Sequence, residues 1–426
     1  MGILLKNAFV VDPVALTAAP MDLLVEGETI STLAAGIAAK GHEIIDCTGL
    51  YLAPGLVDMH VHFRDPGLTY KEDIITGSAA AAAGGFTTVA CMPNTKPVLD
   101  TPEQMEYVLE KGKNQGFCHV LPIGAVTVGQ TGETLTDFDE LAQAGAVAFS
   151  DDGVPVTSAV RMRDALKAAK TLHKIVISHC EDGEMVKNYA VNEGEVSRQL
   201  RLPGRPAIAE DLMVARDLML AKETGAHVHI AHVSTKGSAQ LIRQAKQNGV
   251  SVTAETCPQY FIYTEQEILK KGTMARVNPP LRTAEDRQAI LEAVLDGTLD
   301  CIVTDHAPHS VEEKARPLPD APSGMVGLET SLAACLSYLV KPGYLALPQL
   351  IRKMTVVPAG ILGLEAGTLH AGGAADLCVF DAEEQWTVDP QSFRSKGRNT
   401  VFAGDTLTGK VKLTVCGGKI THREGI

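Results

Sequence analysis

Residues 56–67 read Leu-Val-Asp-Met-His-Val-His-Phe-Arg-Asp-Pro-Gly, and this segment carries the strongest structural signal in the chain. Its first half is apolar and β-branched and follows Pro54-Gly55, which predicts a buried β-strand. Residues two apart in a strand point the same way, so His60 and His62 are expected to present both imidazoles to one side. Imidazoles placed in this way are common metal ligands, although paired histidines also occur on solvent-exposed strand faces. Arg64 follows directly, and a cation beside a metal pair suggests an anionic substrate.

The composition is that of a globular protein with a large core. The chain has 426 residues, of which 45% are hydrophobic and 21% are charged. This length predicts one large domain accompanied by a smaller one. The net charge of −13 argues against a general nucleic-acid binder, and an anionic substrate would then need local cations such as Arg64.

The nine cysteines are scattered, odd in number and without a Cys-x-x-Cys pair, which indicates reduced thiols in a cytoplasmic protein. The apolar run within the first six residues is too short for a signal peptide. No apolar stretch approaches about 18 residues, so we expect no membrane span.

Strand-like and helix-like segments alternate regularly through the middle of the chain. The strand candidates are 56–62, 86–91, 119–125, 146–150, 174–179, 227–232, 250–255 and 301–304. The helix candidates include 72–83, 101–112, 159–171, 208–223, 235–247, 284–296 and 328–339. Eight strands interleaved with helices predict an α/β fold of the (β/α)8 barrel type, similar to a TIM barrel. An open doubly wound sheet is less favoured, because no Gly-x-Gly-x-x-Gly follows the first strand.

The two ends of the chain alternate short β-type runs with turns. We therefore expect residues 1–53 and 366–426 to form one small β-domain, with residues 54–365 inserted between them as the barrel.

Polar residues follow five of the eight predicted strands at their carboxyl ends, where a barrel places its active site. They are His60 and His62, Asp151 and Asp152, His179, His232, and Asp305 with His306 and His309. These side chains are ligands for divalent metals, and even six of them exceed the needs of one tetrahedral zinc. The sequence therefore predicts two metals that share a bridging ligand.

Several assignments within this set stay open. Either Asp151 or Asp152 could face the barrel axis, and His179 and His232 could instead be core histidines. His227 and His229 share a strand with His232 and are assigned to packing or to support of the ligands. The remaining histidines have no metal-site context and are assigned structural roles: His42, His119, His173, His370 and His422.

The motifs together closely resemble the dihydroorotases of the bacterial class I type, which belong to the amidohydrolase superfamily. They are residues 57–67, Cys91-Met-Pro-Asn-Thr95, Ser178-His-Cys-Glu181, Ala231-His-Val-Ser234, Glu255-Thr-Cys-Pro258, Val277-Asn-Pro-Pro-Leu-Arg282 and Thr304-Asp-His-Ala-Pro-His309. The resemblance covers nearly the whole chain and implies a metal-dependent hydrolase barrel.

The resemblance implies the metal ligands. His60, His62, Asp152 and Asp305 would hold one zinc, and Asp152, His179 and His232 would hold the second. Many relatives bridge their metals with a carboxylated lysine, but this chain has no lysine between Lys113 and Lys167. Asp152 would then be the bridge, and whether one or two zinc ions are bound stays open.

The resemblance further implies the reversible conversion of (S)-dihydroorotate to N-carbamoyl-L-aspartate in pyrimidine (UMP) biosynthesis. A metal-bound hydroxide would attack the ring amide while Asp305 moves the proton to the leaving nitrogen. The substrate-binding residues implied by the resemblance are His62, Phe63, Arg64, Asn94, Asn278, His309, Ser323 and Gly324.

Two further expectations concern mobility and partners. The polar, proline-rich loop at 310–322 is expected to close over the site when substrate binds. The family implies a homodimer and leaves open a complex with aspartate carbamoyltransferase.

Alternatives remain at this stage. Arg64 could instead form a salt bridge with Asp65 or Glu72. The chain could be another cyclic amidase, such as a hydantoinase or an allantoinase. It could also be a non-catalytic partner of the carbamoyltransferase, although such partners have lost metal histidines that this chain keeps.

Overall fold

A closed (β/α)8 barrel occupies the middle of the chain, as the alternation of segments predicts. The structure is a computed structural model that describes residues 2–39 and 41–426. The barrel strands are Leu56–Val61, Phe86–Cys91, His119–Pro122, Val176–Ser178, Val228–Ile230, Val252–Thr256 and Cys301–Ile302. All their pairings are parallel, and a bridge between Val61 and His306 joins the last strand position to the first.

The fourth strand position differs from the prediction of a strand over 146–150. Only Phe149 pairs there, through single bridges to Gly124 and Val176. These two bridges complete the ring between the third and fifth strand positions. The first strand is buried at all six positions, because helices cover the barrel outside and side chains fill it inside.

The helices that surround the barrel agree with most of the predicted segments. The α-helices are Ile74–Ala83, Pro102–Gln115, Phe138–Gln143, Ala159–Thr171, Gly183–Val186, Glu195–Leu200, Ile208–Thr224, Lys236–Gln247, Pro258–Ile262, Glu267–Lys271, Ala284–Leu295, Val311–Lys314, Ser331–Cys335, Leu347–Lys353 and Val356–Leu362. The predicted helix over 328–339 is instead a short α-helix continued by the π-helix Leu336–Val340. Short 3-10 turns occupy Val128–Gln130, Gly272–Ala275 and Pro390–Ser392.

Both ends of the chain contribute to one eight-stranded sheet. Its strands are Ile3–Asp12, Thr17–Glu26, Thr29–Ala34, Glu43–Asp46, Tyr51–Pro54, Leu377–Thr387, Thr406–Cys416 and Lys419–Arg423. The two ends meet where Tyr51–Pro54 pairs antiparallel with Leu377–Thr387. A separate apolar core lies within this sheet. The domain limits at 53/54 and 365/366 stay a prediction, and Met1 and Lys40 lie outside the described residues.

Two minor features complete the fold. Val191–Asn192 and Gly204–Arg205 form a small parallel pair beside the barrel. Within the described part of the chain, none of the helices is both long enough and apolar enough to cross a membrane.

Candidate active site

A cavity of about 170 Å³ opens at the carboxyl ends of the barrel strands. The side chains or backbone that line it belong to His62, Arg64, Asn94, Asp152, Gly153, His179, His232, Asn278, Asp305, Ala307, His309, Ser323 and Gly324. Most of the residues expected to form the site therefore lie together. Two of the expected residues, His60 and Phe63, do not line the cavity and are described below.

Four of the expected ligands meet at the end of the first strand. The Nε2 atom of His62 lies 3.1 Å from Oδ1 of Asp305 and 3.3 Å from Oδ2 of Asp152. The Nε2 atom of His60 lies 3.5 Å from Oδ1 of Asp152 and 3.6 Å from Oδ1 of Asp305. His60 is fully buried, and among the described residues its Nε2 atom has no hydrogen-bond partner. A buried ring nitrogen that points between two carboxylates is arranged to bind a cation.

The other ligands meet on the opposite side of Asp152. Its Oδ1 atom lies 3.2 Å from Nδ1 of His179 and 3.4 Å from Nε2 of His232. These two ring nitrogens are 2.8 Å apart. The carboxylate of Asp152 thus lies between two groups of expected ligands, as the prediction of a bridging role requires.

Asp151 points away from the cavity. Its carboxylate accepts hydrogen bonds from the backbone of Val126 and Thr127, at 2.8 and 3.2 Å, and from the Thr127 hydroxyl. Burial raises the pKa of Asp151 to about 6. Of the two aspartates that the sequence left open, only Asp152 faces the histidines.

Burial and neighbouring charges shift the pKa values of the ionisable groups of the site in opposite directions. Burial alone would raise the pKa of Asp152, but the neighbouring imidazoles of His60, His179 and His232 hold it well below its usual range. Burial opposes protonation of His179, yet Asp152 and Glu181 raise its pKa to about 10. Asp152 is therefore an anion at neutral pH, as a metal ligand must be.

Glu255 supports the site, and the sequence analysis gave it no role. Its carboxylate lies 2.5 Å from Nδ1 of His60, 3.1 Å from Nε2 of His229 and 3.3 Å from the backbone nitrogen of His232. His229 and His227 both contact the Thr253 hydroxyl, at 2.8 Å, and their assignment to packing or to support of the ligands stays a prediction. A carboxylate bound to Nδ1 fixes the ring so that Nε2 faces the metal position. The signal in the sequence is a charged residue inside an otherwise buried strand.

Arg64 enters the cavity from the end of the first strand. It is 9% exposed, and its Nε atom donates to the carbonyl oxygen of Pro308 at 3.3 Å. No carboxylate of the described residues lies within 4.0 Å of its guanidinium. The alternative of a salt bridge is wrong, because Asp65 pairs with Lys111 at 2.7 Å and Glu72 binds Ser395 and Thr76.

The other expected substrate residues surround Arg64 and the histidines. Asn94 Oδ1 lies 2.8 Å from Nδ1 of His62, so Asn94 also orients that ring. His309 Nε2 lies 2.8 Å from the carbonyl oxygen of Ser323, and Asn278 Nδ2 lies 3.4 Å from Nε2 of His179. Gly324 has a φ of +135°, and a Cβ there would lie 2.8 Å from the Ala307 side chain and 3.1 Å from Nε2 of His309. Glycine thus keeps this wall of the cavity open.

Phe63 packs away from the cavity. Its ring lies against Gly77, where a Cβ would come within 2.5 Å of the ring, and edge-on to His306. Any contact of residue 63 with a substrate would therefore involve its backbone.

The backbone is strained at three residues of the site. Arg64, His232 and Asp305 have φ values of 59°, 32° and 48°, in the left-handed region that side chains with a Cβ rarely adopt. Such strain concentrates at sites where side chains must be aimed at one point.

The loop at 310–322 contains regular secondary structure and hydrogen bonds that hold it to the barrel. It contains the helix Val311–Lys314, and the Lys314 ammonium donates to the carbonyl oxygens of Arg276, Pro322 and Gly324 at 3.3, 3.1 and 3.1 Å. Burial lowers the pKa of Lys314 to about 7. Closure of this loop on a substrate stays a prediction.

Comparisons with known proteins agree with this geometry. A family model described as "Dihydro-orotase-like" matches residues 49–238, and one described as "Amidohydrolase family" matches residues 322–422. A dihydroorotase from Syntrophus aciditrophicus is 49% identical over 426 residues, covering 100% of both chains. A dihydroorotase from Trichlorobacter lovleyi is 48% identical over 421 residues, covering 99% of both.

Solved structures share the same fold. An L-hydantoinase (dihydropyrimidinase) from Arthrobacter aurescens has a TM-score of 0.89 at 26% identity, covering 100% of this chain and 96% of that chain. A D-hydantoinase (dihydropyrimidinase) from a Thermus species has a TM-score of 0.83 at 25% identity, with the same coverage.

Proposed function

The chain belongs to the dihydroorotase family, and from this premise we propose that it catalyses the reversible hydrolysis of (S)-dihydroorotate to N-carbamoyl-L-aspartate in pyrimidine synthesis. The observation that carries the proposal is the Arg64 guanidinium, which lines the cavity and has no carboxylate of the described residues within 4.0 Å. A desolvated cation gains most from an anionic ligand. Dihydroorotate offers a carboxylate beside its cyclic amide.

The cofactor we propose is Zn²⁺, with two ions favoured over one. The donors are imidazole nitrogens and carboxylate oxygens, which zinc binds, and the unpartnered Nε2 atom of buried His60 fits a missing ion. His60, His62 and Asp305 would hold one ion, His179 and His232 the other, and Asp152 would bridge them. When bound, zinc lowers the pKa of water to about 7 and polarises a carbonyl group.

The protein groups have separate tasks in the proposed reaction. The two terminal nitrogens of Arg64 would bind the substrate carboxylate, with Asn94 and His309 beside it. Asn278 and the backbone at Ser323 and Gly324 would contact the ring. These contacts would hold the amide carbonyl at the ligand cluster.

Asp305 is the proposed proton carrier. Its carboxylate would accept the proton that the attacking water loses and return it to the ring nitrogen as the C–N bond breaks. Its Oδ1 atom lies 3.1 Å from Nε2 of His62 and 3.6 Å from Nε2 of His60, beside the proposed ligands of the ion that would activate that water. In the reverse direction the same carboxylate would accept the proton of the attacking nitrogen.

A hydantoinase is the second candidate, because the similar solved structures carry that name. A neutral hydantoin would leave Arg64 unpaired, and sites that lose such a buried polar contact reject the analogue by roughly 10⁴–10⁵. The absence of lysine between Lys113 and Lys167 also removes the bridge that many hydantoinases use.

The deciding experiment measures ring opening of dihydroorotate by absorbance, before chelation, after it and after zinc is restored, with hydantoin assayed in parallel. We expect activity on dihydroorotate that chelation removes and zinc restores. If zinc-loaded protein opens hydantoin alone, dihydroorotate is refuted as the substrate. Turnover of neither compound would point to the non-catalytic alternative.

We also propose a cytoplasmic homodimer. All nine cysteines are free and buried, which fits a reducing compartment. Light scattering of purified protein should give twice the mass of one chain, and co-purification with aspartate carbamoyltransferase would test the complex that the family leaves open.

A further inference from the structure

A second cluster of metal-ligating side chains lies at the end of the barrel opposite the candidate active site. His119 is the first residue of the third barrel strand, whereas the cavity lies at the strands' carboxyl ends. Asp376 directly precedes the sheet strand Leu377–Thr387, and Cys416 ends the strand Thr406–Cys416. One ligand atom from each of His119, Asp376 and Cys416 lies within 4.8 Å of the other two. The cluster therefore joins the barrel to the β-sheet.

The distances suit a tetrahedral ion. The Nε2 atom of His119 lies 3.0 Å from Oδ2 of Asp376. Zinc bonds of about 2.0–2.3 Å to nitrogen, oxygen and sulfur place neighbouring ligand atoms roughly 3.3–3.7 Å apart. All three ligand atoms lie within 4.8 Å of one another, so changes of about 1 Å or less in their separations bring them to that spacing. Its carboxylate and thiolate would together balance the charge of a divalent cation.

A neighbouring backbone group already orients one of the three ligands. The other oxygen of Asp376, Oδ1, accepts a hydrogen bond from the backbone nitrogen of Gly417 at 2.7 Å, which turns Oδ2 toward His119. Contacts of this kind from outside the ligand set are typical of metal sites.

The site has an entrance and space for a fourth ligand. Cys416 is 9% exposed, whereas the His119 side chain is 48% exposed and faces a groove of about 530 Å³. Glu28, Lys113 and Lys419 also line the groove, so the carboxylates and the thiolate must attract a cation against two ammonium groups.

We propose that His119, Asp376 and Cys416 form a second zinc site, separate from the catalytic centre, that links the third barrel strand to the β-sheet. Its ligands are three protein side chains with a water in the fourth position.

The probe is Co²⁺, which occupies tetrahedral zinc sites and gives an intense near-ultraviolet charge-transfer band only when a thiolate is bound. The proposed catalytic ligands are all His and Asp, so the band reports on Cys416 whether or not the enzyme turns over substrate. Protein prepared with cobalt in place of zinc should show the band and should hold one more ion per chain than the Cys416→Ser variant.

Matched variants make the result specific. Cys416→Ser should lose the band, whereas Cys118→Ser, a thiol that lines the same groove, should keep it. His119→Ala changes a half-exposed side chain, so it should fold normally and bind cobalt at this site at least tenfold more weakly. Absence of the band in the cobalt-saturated parent protein, or its survival in Cys416→Ser, would overturn the proposal.

Discussion

Replacement of Arg64 by Met tests the proposed substrate most directly. The Nε atom is engaged by Pro308, so two terminal nitrogens remain for a carboxylate. Each charge-assisted hydrogen bond contributes about 1.5–3 kcal/mol, and the loss of two predicts about 3–6 kcal/mol of transition-state binding. This corresponds to a fall in kcat/KM for dihydroorotate of roughly 10²–10⁴. Arg64→Lys keeps one charged donor and should lose roughly 10–10².

Arg64→Met should lower activity but should not lower thermal stability. Met removes a buried charge without leaving a carboxylate unpaired, so the Tm should stay unchanged or rise. Kinetics on dihydroorotate, thermal unfolding and metal content would be measured together. Arg243→Met is the matched control, since its exposed pair with Asp296 at 2.7 Å contributes less than about 1 kcal/mol and lies on the barrel surface. A lower Tm with near-normal kcat/KM would show that Arg64 is structural and refute the reasoning.

Three further changes test other parts of the site and fold. Asp305→Ala should lower kcat by roughly 10²–10⁴ while mass spectrometry of bound metal shows most of it retained, and near-normal turnover would disprove the proton-carrier role. Glu255→Gln should weaken zinc binding roughly 10–100-fold in a chelator competition, because His60 loses its anionic support; unchanged affinity would contradict this. Burial raises the pKa of Glu329 to about 7, so the folded protein holds a proton that the unfolded chain releases near 4.5. The free energy of unfolding should therefore fall as the pH rises from about 4.5 to about 7, and urea unfolding of Glu329→Gln should lack this fall.

The barrel could be predicted because buried parallel strands are continuous apolar runs separated by amphipathic helices. At 146–150 the apolar character reports burial. Only Phe149 forms bridges there, although Val147, Ala148 and Ser150 also make backbone hydrogen bonds to Pro122 and Gly124.

The residues of the candidate site could be predicted where one strand supplies several expected ligands. They were harder to predict where segments distant in the sequence meet. His60 and His62 follow from strand alternation, but alternation fails at the bend after Phe149, so the sequence could not choose between Asp151 and Asp152. Glu255 contacts His60 across 195 positions, and His119 contacts Asp376 across 257. Contacts between residues so far apart in the chain leave no local pattern in a single sequence.

The sheet that unites the two ends of the chain has a consequence for synthesis on the ribosome. The Cys378 thiol contacts the carbonyl oxygen of Pro54, which is translated 324 positions earlier. At roughly 5–20 residues per second, the strand Tyr51–Pro54 waits roughly 15–65 s for its partner to emerge. During that interval an apolar strand has an open edge, the feature that promotes pairing with other nascent chains. Slow translation of the last third of the message should therefore lower the yield of folded enzyme, and a chaperone that covers strand edges should restore it.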